Sequence, residues 1–161
     1  MKFTLFRKIF YSSAKIFHTR TLITTNGHFN RQKIDIGDSV QIERLFTQED
    51  VALFARLTHD DNPIHLNESS AIQRNFAKPI VHGSLINGVI SSLIGTKLPG
   101  YGSILIEQDL HFPNPLFVGE KFITKVTIAD RKRNIYFCQY ECLTMDGKKV
   151  TEGMAKILFR P

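Results

Sequence analysis

The sequence has no acidic residue before Asp35, only two cysteines, and no apolar run long enough to span a bilayer. The last of these leaves no candidate transmembrane helix. The cysteines, Cys138 and Cys142, fall in a run that reads as a strand. Four residues along one strand face is about 13 Å, which is beyond disulfide reach, and their spacing is not a metal-ligand spacing such as C-x-x-C. They read as buried or half-buried strand residues of a protein kept in a reducing compartment. The missing acids localise the charge. Lys2, Arg7, Lys8, Lys15, Arg20, Arg31 and Lys33 precede Asp35 uncompensated, whereas the remainder carries fourteen basic and fifteen acidic residues. The net charge of +6 therefore belongs to the first segment, and the body is nearly neutral. A nucleic-acid footprint needs a basic face on the folded domain, so that class is set aside. There is no repeat and no low-complexity linker, and 161 residues suit one domain.

What is present begins with the leader. Phe3, Phe6, Phe10 and Phe17 recur at helical spacing, with Lys8 and Lys15 on the opposite side. A basic, hydroxyl-bearing, amphipathic segment without acids has the composition of a mitochondrial transit peptide. A disordered or membrane-surface basic tail is the alternative. Charges interrupt the apolar residues, so a secretory signal does not fit. The expected organisation is a leader over residues 1–30, its end poorly marked, followed by one domain over 31–161.

From Ser39 to Phe46 the residues alternate as in a half-buried strand. "TQEDVALFARLT" then predicts a helix with Thr47 as N-cap and Glu49 and Asp50 in its first turn. Val51, Phe54, Ala55 and Leu57 or Thr58 form its apolar face. A loop follows, and Asn67-Glu68-Ser69 opens a short second helix reaching about Phe76. "HGSLINGVISSLIGTKL" predicts the core helix, apolar over most of its circumference, with the small residues Gly88, Ser91 and Ser92 permitting close approach of another backbone. Beyond Gly100-Tyr101-Gly102, four strands are predicted at about Ser103–Phe112, Glu120–Arg131, Ile135–Leu143 and Lys149–Phe159. One strand, helices and then a four-strand meander make an α+β domain with a long helix against an antiparallel sheet.

The tract "LTHDDNPIHLNES", Leu57 to Ser69, sets two aspartates, an Asn-Pro turn and a histidine directly after a helix. "HDDNPIHLN", "KPIVHGSL", "LPGYGSI" and "FPNPLFVGE" follow one another in the order and spacing of the MaoC-like (R)-specific hydratases and dehydratases, which the chain resembles from about Ile34 onward. The core motif D-x-N-P-x-H is matched by Asp60, Asn62, Pro63 and His65. With its basic leader, the chain resembles the mitochondrial hydroxyacyl-thioester dehydratase branch of that family. Two positions depart from the pattern: His59 stands where Gly is usual before the catalytic Asp, and Phe54 where Tyr is frequent.

The resemblance implies a hot-dog fold, a homodimer, and reversible dehydration of 3-hydroxyacyl thioesters. That reaction needs proton transfer at C2, proton management at the C3 oxygen, and stabilisation of enolate-like charge on the thioester carbonyl. Asp60 and His65 match the family's catalytic pair. Gly83, at the predicted N-terminus of the core helix, matches the glycine whose N–H binds the thioester oxygen; close packing is its alternative use. Asn62 is a substrate-side candidate that also suits loop shaping. Ser91 matches a residue lining the acyl pocket, with a hydrogen bond to the preceding turn as its alternative. A satisfied structural histidine is the alternative for His65. Asp61 reads as the variable motif position and His59 as loop. His82 reads as an anchor of the turn rather than a proton carrier, and His111 as a packing residue. No metal or organic cofactor is implied, since the sequence holds no ligand cluster or phosphate-cradling loop.

The expected function is dehydration of (3R)-3-hydroxyacyl thioesters in mitochondrial type II fatty acid synthesis, with an acyl carrier protein presenting the substrate. An (R)-specific enoyl-CoA hydratase is the near alternative, and "LFRP" at the C-terminus is not a peroxisomal S-K-L tail. A hot-dog acyl thioesterase or a non-catalytic acyl-binding protein would act on, or hold, the same substrates. The leader yields a prediction of its own: residues 1–30 fused to a fluorescent reporter should deliver it to mitochondria, and cytosolic or peroxisomal fluorescence would refute the transit-peptide assignment.

Overall fold

The computed structural model describes residues 34–160, so the expected leader lies outside the described residues. The chain runs β1 (Ser39–Leu45), α1 (Gln48–Thr58), α2 (Pro63–Leu66), α3 (Glu68–Gln73), α4 (Gly83–Thr96), β2 (Ser103–His111), β3 (Lys121–Lys132), β4 (Ile135–Thr144) and β5 (Lys149–Phe159). The strands form one antiparallel sheet in the order β1-β3-β4-β5-β2. Together with α4 this is the α+β hot-dog architecture. The four later strands are not a meander, however. β3, β4 and β5 are consecutive hairpin neighbours, but β2 lies beyond β5 and pairs with it from Ser103↔Phe159 to His111↔Glu152. Local alternation marks β2 as a strand without saying which neighbour it takes.

Alternation along the central strands decides what fills the inside of the sheet. Phe122, Thr124, Val126 and Ile128 of β3 point inward, as do Tyr136, Cys138, Tyr140 and Cys142 of β4. Against them α4 packs Ile86, Val89, Ile90, Leu93 and Ile94, all buried. Its other side is not covered: Ser84, Gly88, Ser91 and Ser92 are exposed. The helix is thus a core helix on one side only, and its small residues form an open stripe. Both cysteines are buried and free. Burial pushes the Cys138 thiol up to about 12 and the Cys142 thiol up to about 11, which makes them inert packing groups.

α1 starts as predicted. Thr47 Oγ1 accepts from the Asp50 N–H and the Asp50 carboxylate accepts from the Thr47 N–H, a reciprocal cap. The Thr47 N–H and the Thr47 hydroxyl, both donating to the Asp50 carboxylate, hold that carboxyl below its ordinary value. Val51 and Ala55 are buried, but Leu57 is 72% exposed and Thr58 is exposed too. The apolar face ends a turn earlier than the pattern suggested, because the chain leaves the core at the helix terminus. The expected second helix is α3, which starts where predicted, with Asn67 Oδ1 accepting from the Ser70 N–H at 2.9 Å, but ends at Gln73 rather than near Phe76; the one-turn helix α2 lies in the tract expected to be loop. His111 is not a packing residue; its side chain is 64% exposed and lies 3.8 Å from Asp109.

Of the described glycines, Gly153 leaves the least room for a side chain. It sits opposite Tyr140 of β4 and Leu110 of β2. The Tyr140 hydroxyl crosses above it to donate to the Asp109 carbonyl and to accept from Gln108 Nε2 at 3.0 Å. A methyl at Gly153 would stand 2.6 Å from that hydroxyl and closer still to the carbonyl. Gly153→Ala should therefore cost about 1–3 kcal/mol, the usual penalty of overpacking. A denaturant midpoint equal to wild type would show that the sheet yields there freely.

Candidate active site

The quoted tract becomes a turn tied at every step. α1 ends in His59 with φ 59°, ψ 22°, the left-handed conformation that favours glycine. A glycine, which the resemblance led one to expect here, would take that conformation freely, whereas His59 adopts it at some conformational cost. Asp60 follows, its N–H 3.3 Å from Thr58 Oγ1. Asn62 caps α2, its Oδ1 accepting from the Ile64 N–H at 3.4 Å, and Pro63 takes the first helical position. One turn of helix then carries His65 inward to 8% exposure.

His65 is oriented by a backbone carbonyl. Its Nδ1 lies 2.7 Å from the Ile80 oxygen. A carbonyl only accepts, so Nδ1 bears the hydrogen and the lone pair is on Nε2, which makes Nε2 the free base. Burial depresses the His65 pKa below its ordinary 6.5; the Ile80 hydrogen bond opposes this, the neighbouring His82 adds to it, and Asp60 opposes it. The ring thus stays a base to lower pH than an exposed histidine would.

Ile80 is held as firmly as the ring it orients. Its N–H donates to the Ile64 carbonyl at 3.2 Å, while Val81 N–H donates to Leu116 and Val118 N–H to Pro79, at 2.8 and 3.0 Å. The segment 79–81 is therefore a strap between α2 and the chain at 116–118, with Ile80 and Phe117 paired. It leads directly into His82 and Gly83, the start of α4. At that start the Leu85 and Ile86 amides bond the His82 carbonyl, and the Gly83 and Ser84 amides have no partner among the described residues. Free N–H groups at the positive end of a helix suit developing negative charge on an oxygen. Close packing applies to Gly83 as well: a methyl there would stand 2.9 Å from Cζ of Phe112.

The fold thus brings together Asp60, His65 and the start of α4 at Gly83. Asn62 is on the same turn, but its Oδ1 is committed to the cap. Ser91 is two turns along α4 from Gly83, on the exposed stripe with Ser84 and Gly88. His82, read from the sequence as an anchor of the turn, joins Asp60 and His65, with contacts to both that the sequence did not show. It is 2% exposed, its ring stacks on His65 at 3.8 Å between centroids, and its Nε2 lies 3.0 Å from the Asp60 carbonyl. Its one sequence signal was a position immediately before Gly83. An oxygen of Asp60 and one nitrogen from each histidine lie within 4.8 Å of one another, a distance compatible with a metal. The rings, however, are near-parallel at 29°, and one nitrogen of each is spent on a backbone carbonyl. Stacked rings hold their in-plane lone pairs in near-parallel planes instead of aiming both at one point, so the cluster suits a water or hydroxyl at Asp60 and His65 better than an ion.

A MaoC like domain model matches residues 30–151. A protein of Rhodospirillum rubrum named (R)-specific enoyl-CoA hydratase is 35% identical over 128 residues, covering 79% of this chain and 89% of that one. A tomato (Solanum lycopersicum) protein named as a mitochondrial dehydratase of 3-hydroxyacyl groups on acyl carrier protein is 30% identical, covering 76% and 75%. Among solved structures, an (R)-hydratase of A. caviae superposes with a TM-score of 0.77 at 33% identity, covering 80% of this chain and 99% of that one.

The depressed basicity of His65 predicts its titration. Followed by NMR, its ring should protonate with a midpoint below 6.5. Because the folded value lies below the unfolded one, folding stability should fall as pH drops from 6.5 through that midpoint. A midpoint at or above 6.5 would mean that burial does not dominate.

Proposed function

The chain belongs to the MaoC-like domain family, and from that premise we propose that it is a hydro-lyase interconverting (3R)-3-hydroxyacyl and trans-2-enoyl thioesters, with Asp60 and His65 as its acid–base pair. The observation that carries the reading is that an Asp60 carboxylate oxygen and a ring nitrogen of His65 lie within 4.8 Å, in a ring whose Nδ1 is committed to Ile80, close in the chain to the amides at the start of α4 that have no partner among the described residues. In hydration the pair holds one water, with the oxygen lone pair facing C3. As the O–C3 bond forms, a proton leaves the water to the pair and the electron pair of the double bond moves onto the thioester carbonyl. The Gly83 N–H supports that oxygen. One proton then passes to C2, so the pair ends unchanged. Dehydration runs the same steps backward. Asn62 keeps the turn in shape, and the acyl chain runs along the open stripe of α4 past Ser91.

The finer assignment is the carrier-protein dehydratase of mitochondrial fatty acid synthesis. Two things support it: the basic, acid-free leader and the relatives named as mitochondrial carrier-protein dehydratases in tomato and Arabidopsis thaliana. The second reading, an (R)-specific enoyl-CoA hydratase, is favoured by relatives of that name at 39% and 35% identity. We further assign the working unit as a homodimer. β2 is a sheet edge with Ile104, Leu105 and Ile106 all about half exposed, an apolar strand edge suited to a second copy. No described helix is long and apolar enough to cross a membrane.

The test is loss of crotonyl thioester absorbance, with CoA and then carrier protein as the thiol, and chiral analysis of the product. Wild type should form the (3R)-hydroxy product. His65→Ala and Asp60→Asn should each lose about 10²–10⁴ in turnover while remaining folded. Losses under tenfold would remove either residue from the pair, thiol release would point to a thioesterase, and no turnover with either thiol would defeat the reading.

A further inference from the structure

We propose that His82, which the reaction itself does not use, is the positioning residue that locks Asp60, His65 and Gly83 into one geometry; the inference rests on the hydratase reading above. At 2% exposure His82 is too deep to meet a substrate and acts through its neighbours. Its ring is held between Phe54, at 5.0 Å, and His65, at 3.8 Å. The Nε2 atom lies 3.0 Å from the Asp60 carbonyl, which only accepts, so Nε2 carries the hydrogen. Nδ1 is then the bare nitrogen, and it is buried without a hydrogen-bond partner among the described residues. A buried unpaired polar atom works against stability. A phenylalanine would fill the same slot between two rings without that penalty. The histidine's distinguishing contribution is the N–H that reaches Asp60.

That one bond has three consequences. It fixes the backbone from which the Asp60 carboxylate projects, immediately after the left-handed turn at His59. The stacked ring closes off one face of His65, whose edge is already pinned by the Ile80 carbonyl, so the free Nε2 cannot tilt. His82 is also the N-cap residue of α4, so the position of Gly83 follows the same ring. The two histidines are therefore of opposite tautomers: Nδ1–H in His65, leaving a base toward the site, and Nε2–H in His82, serving as a tether. A displacement of about 1 Å in such a constellation costs on the order of 10² in rate.

Two substitutions separate tether from filler. His82→Phe keeps a ring in the slot and removes the N–H; His82→Gln keeps an N–H at the reach of Nε2 and removes the ring. His82→Phe should melt at or above the wild-type temperature, keep KM within about threefold, and lose about 10²-fold in kcat. His82→Gln should recover at least part of that kcat. A folded His82→Phe enzyme with kcat within threefold of wild type would overturn the proposal, as would a Gln variant no better than Phe. An independent measurement on the wild type, the long-range ¹H–¹⁵N spectrum of ¹⁵N-histidine-labelled protein, should show His82 as the Nε2–H tautomer and His65 as the Nδ1–H tautomer. A Nδ1–H His82 would sink the tether whatever the variants do. If wild type turns over neither thioester, the hydratase reading fails, and the spectrum still decides whether His82 holds Asp60.

Discussion

The carbonyl oxygen of Ile80 is the point on which the site depends. It selects which nitrogen of His65 is free, and so gives an ordinary buried histidine the character of a base facing outward. It can do so because its own segment is immobilised by hydrogen bonds on both sides, to Ile64 and to the stretch from Leu116 to Val118. An extended strap that joins one turn of helix to the edge of the core fixes the ring as rigidly as a strand would. The strap also delivers the chain to α4, which places the helix terminus beside the same ring. The proposed acid–base pair and the proposed charge-stabilising amide thus share one structural support.

Holding polar groups in this way requires a surplus elsewhere. The surplus comes from α4 and the concave face of the sheet, where Ile86, Ile90 and Leu93 meet Phe122, Val126 and Ile157. Burying a side chain of this kind is worth about 1.5–3 kcal/mol before the loss of its freedom is counted. Against this stand the desolvated His65, the unpartnered nitrogen of His82 and the left-handed His59. These three features fall at the site, although Asn75 and Arg133 are also left-handed, the Ser103 hydroxyl is buried without a partner among the described residues, and the sheet shifts register at Leu105/Glu107, Ile128/Asp130 and Cys142/Leu143. Unfavourable groups held together at one place are a common feature of sites whose geometry matters more than local stability.

α4 faces two ways. Its branched residues anchor it in the core, and its serines and glycine leave a shallow open stripe leading away from Gly83. β2 adds an exposed apolar edge at the end of the sheet. A helix that is buried along one side and small along the other can direct a chain-like ligand without giving up its own anchoring. The Asn87–Gln108–Tyr140 hydrogen-bond chain ties that helix to β2 and β4, and so links the element that carries the stripe to the sheet edge.

Helix and strand positions were legible in the residues, because alternation, helical spacing and the Thr47 cap are local signals. So was the D-x-N-P-x-H turn, and with it Asp60, His65 and the helix start at Gly83. The exposure of Leu57 was not, since an apolar residue at the last turn looks the same whether or not the chain is leaving the core. Nor was the place of β2 beside β5, because strand pairing depends on contacts far apart in sequence. The single turn of α2 was not legible either, because a four-residue helix capped by Asn62 reads in sequence as an Asx turn, and α3 ends at Gln73 short of the expected Phe76. The tautomers of His65 and His82 depend on carbonyls fifteen and twenty-two residues away, at Ile80 and Asp60. The sequence by itself determined the elements and the chemical groups available to them. Tertiary structure alone decided which nitrogen is free and that His82 stacks on His65, because a hydrogen bond between distant residues exists only once the chain has closed around it.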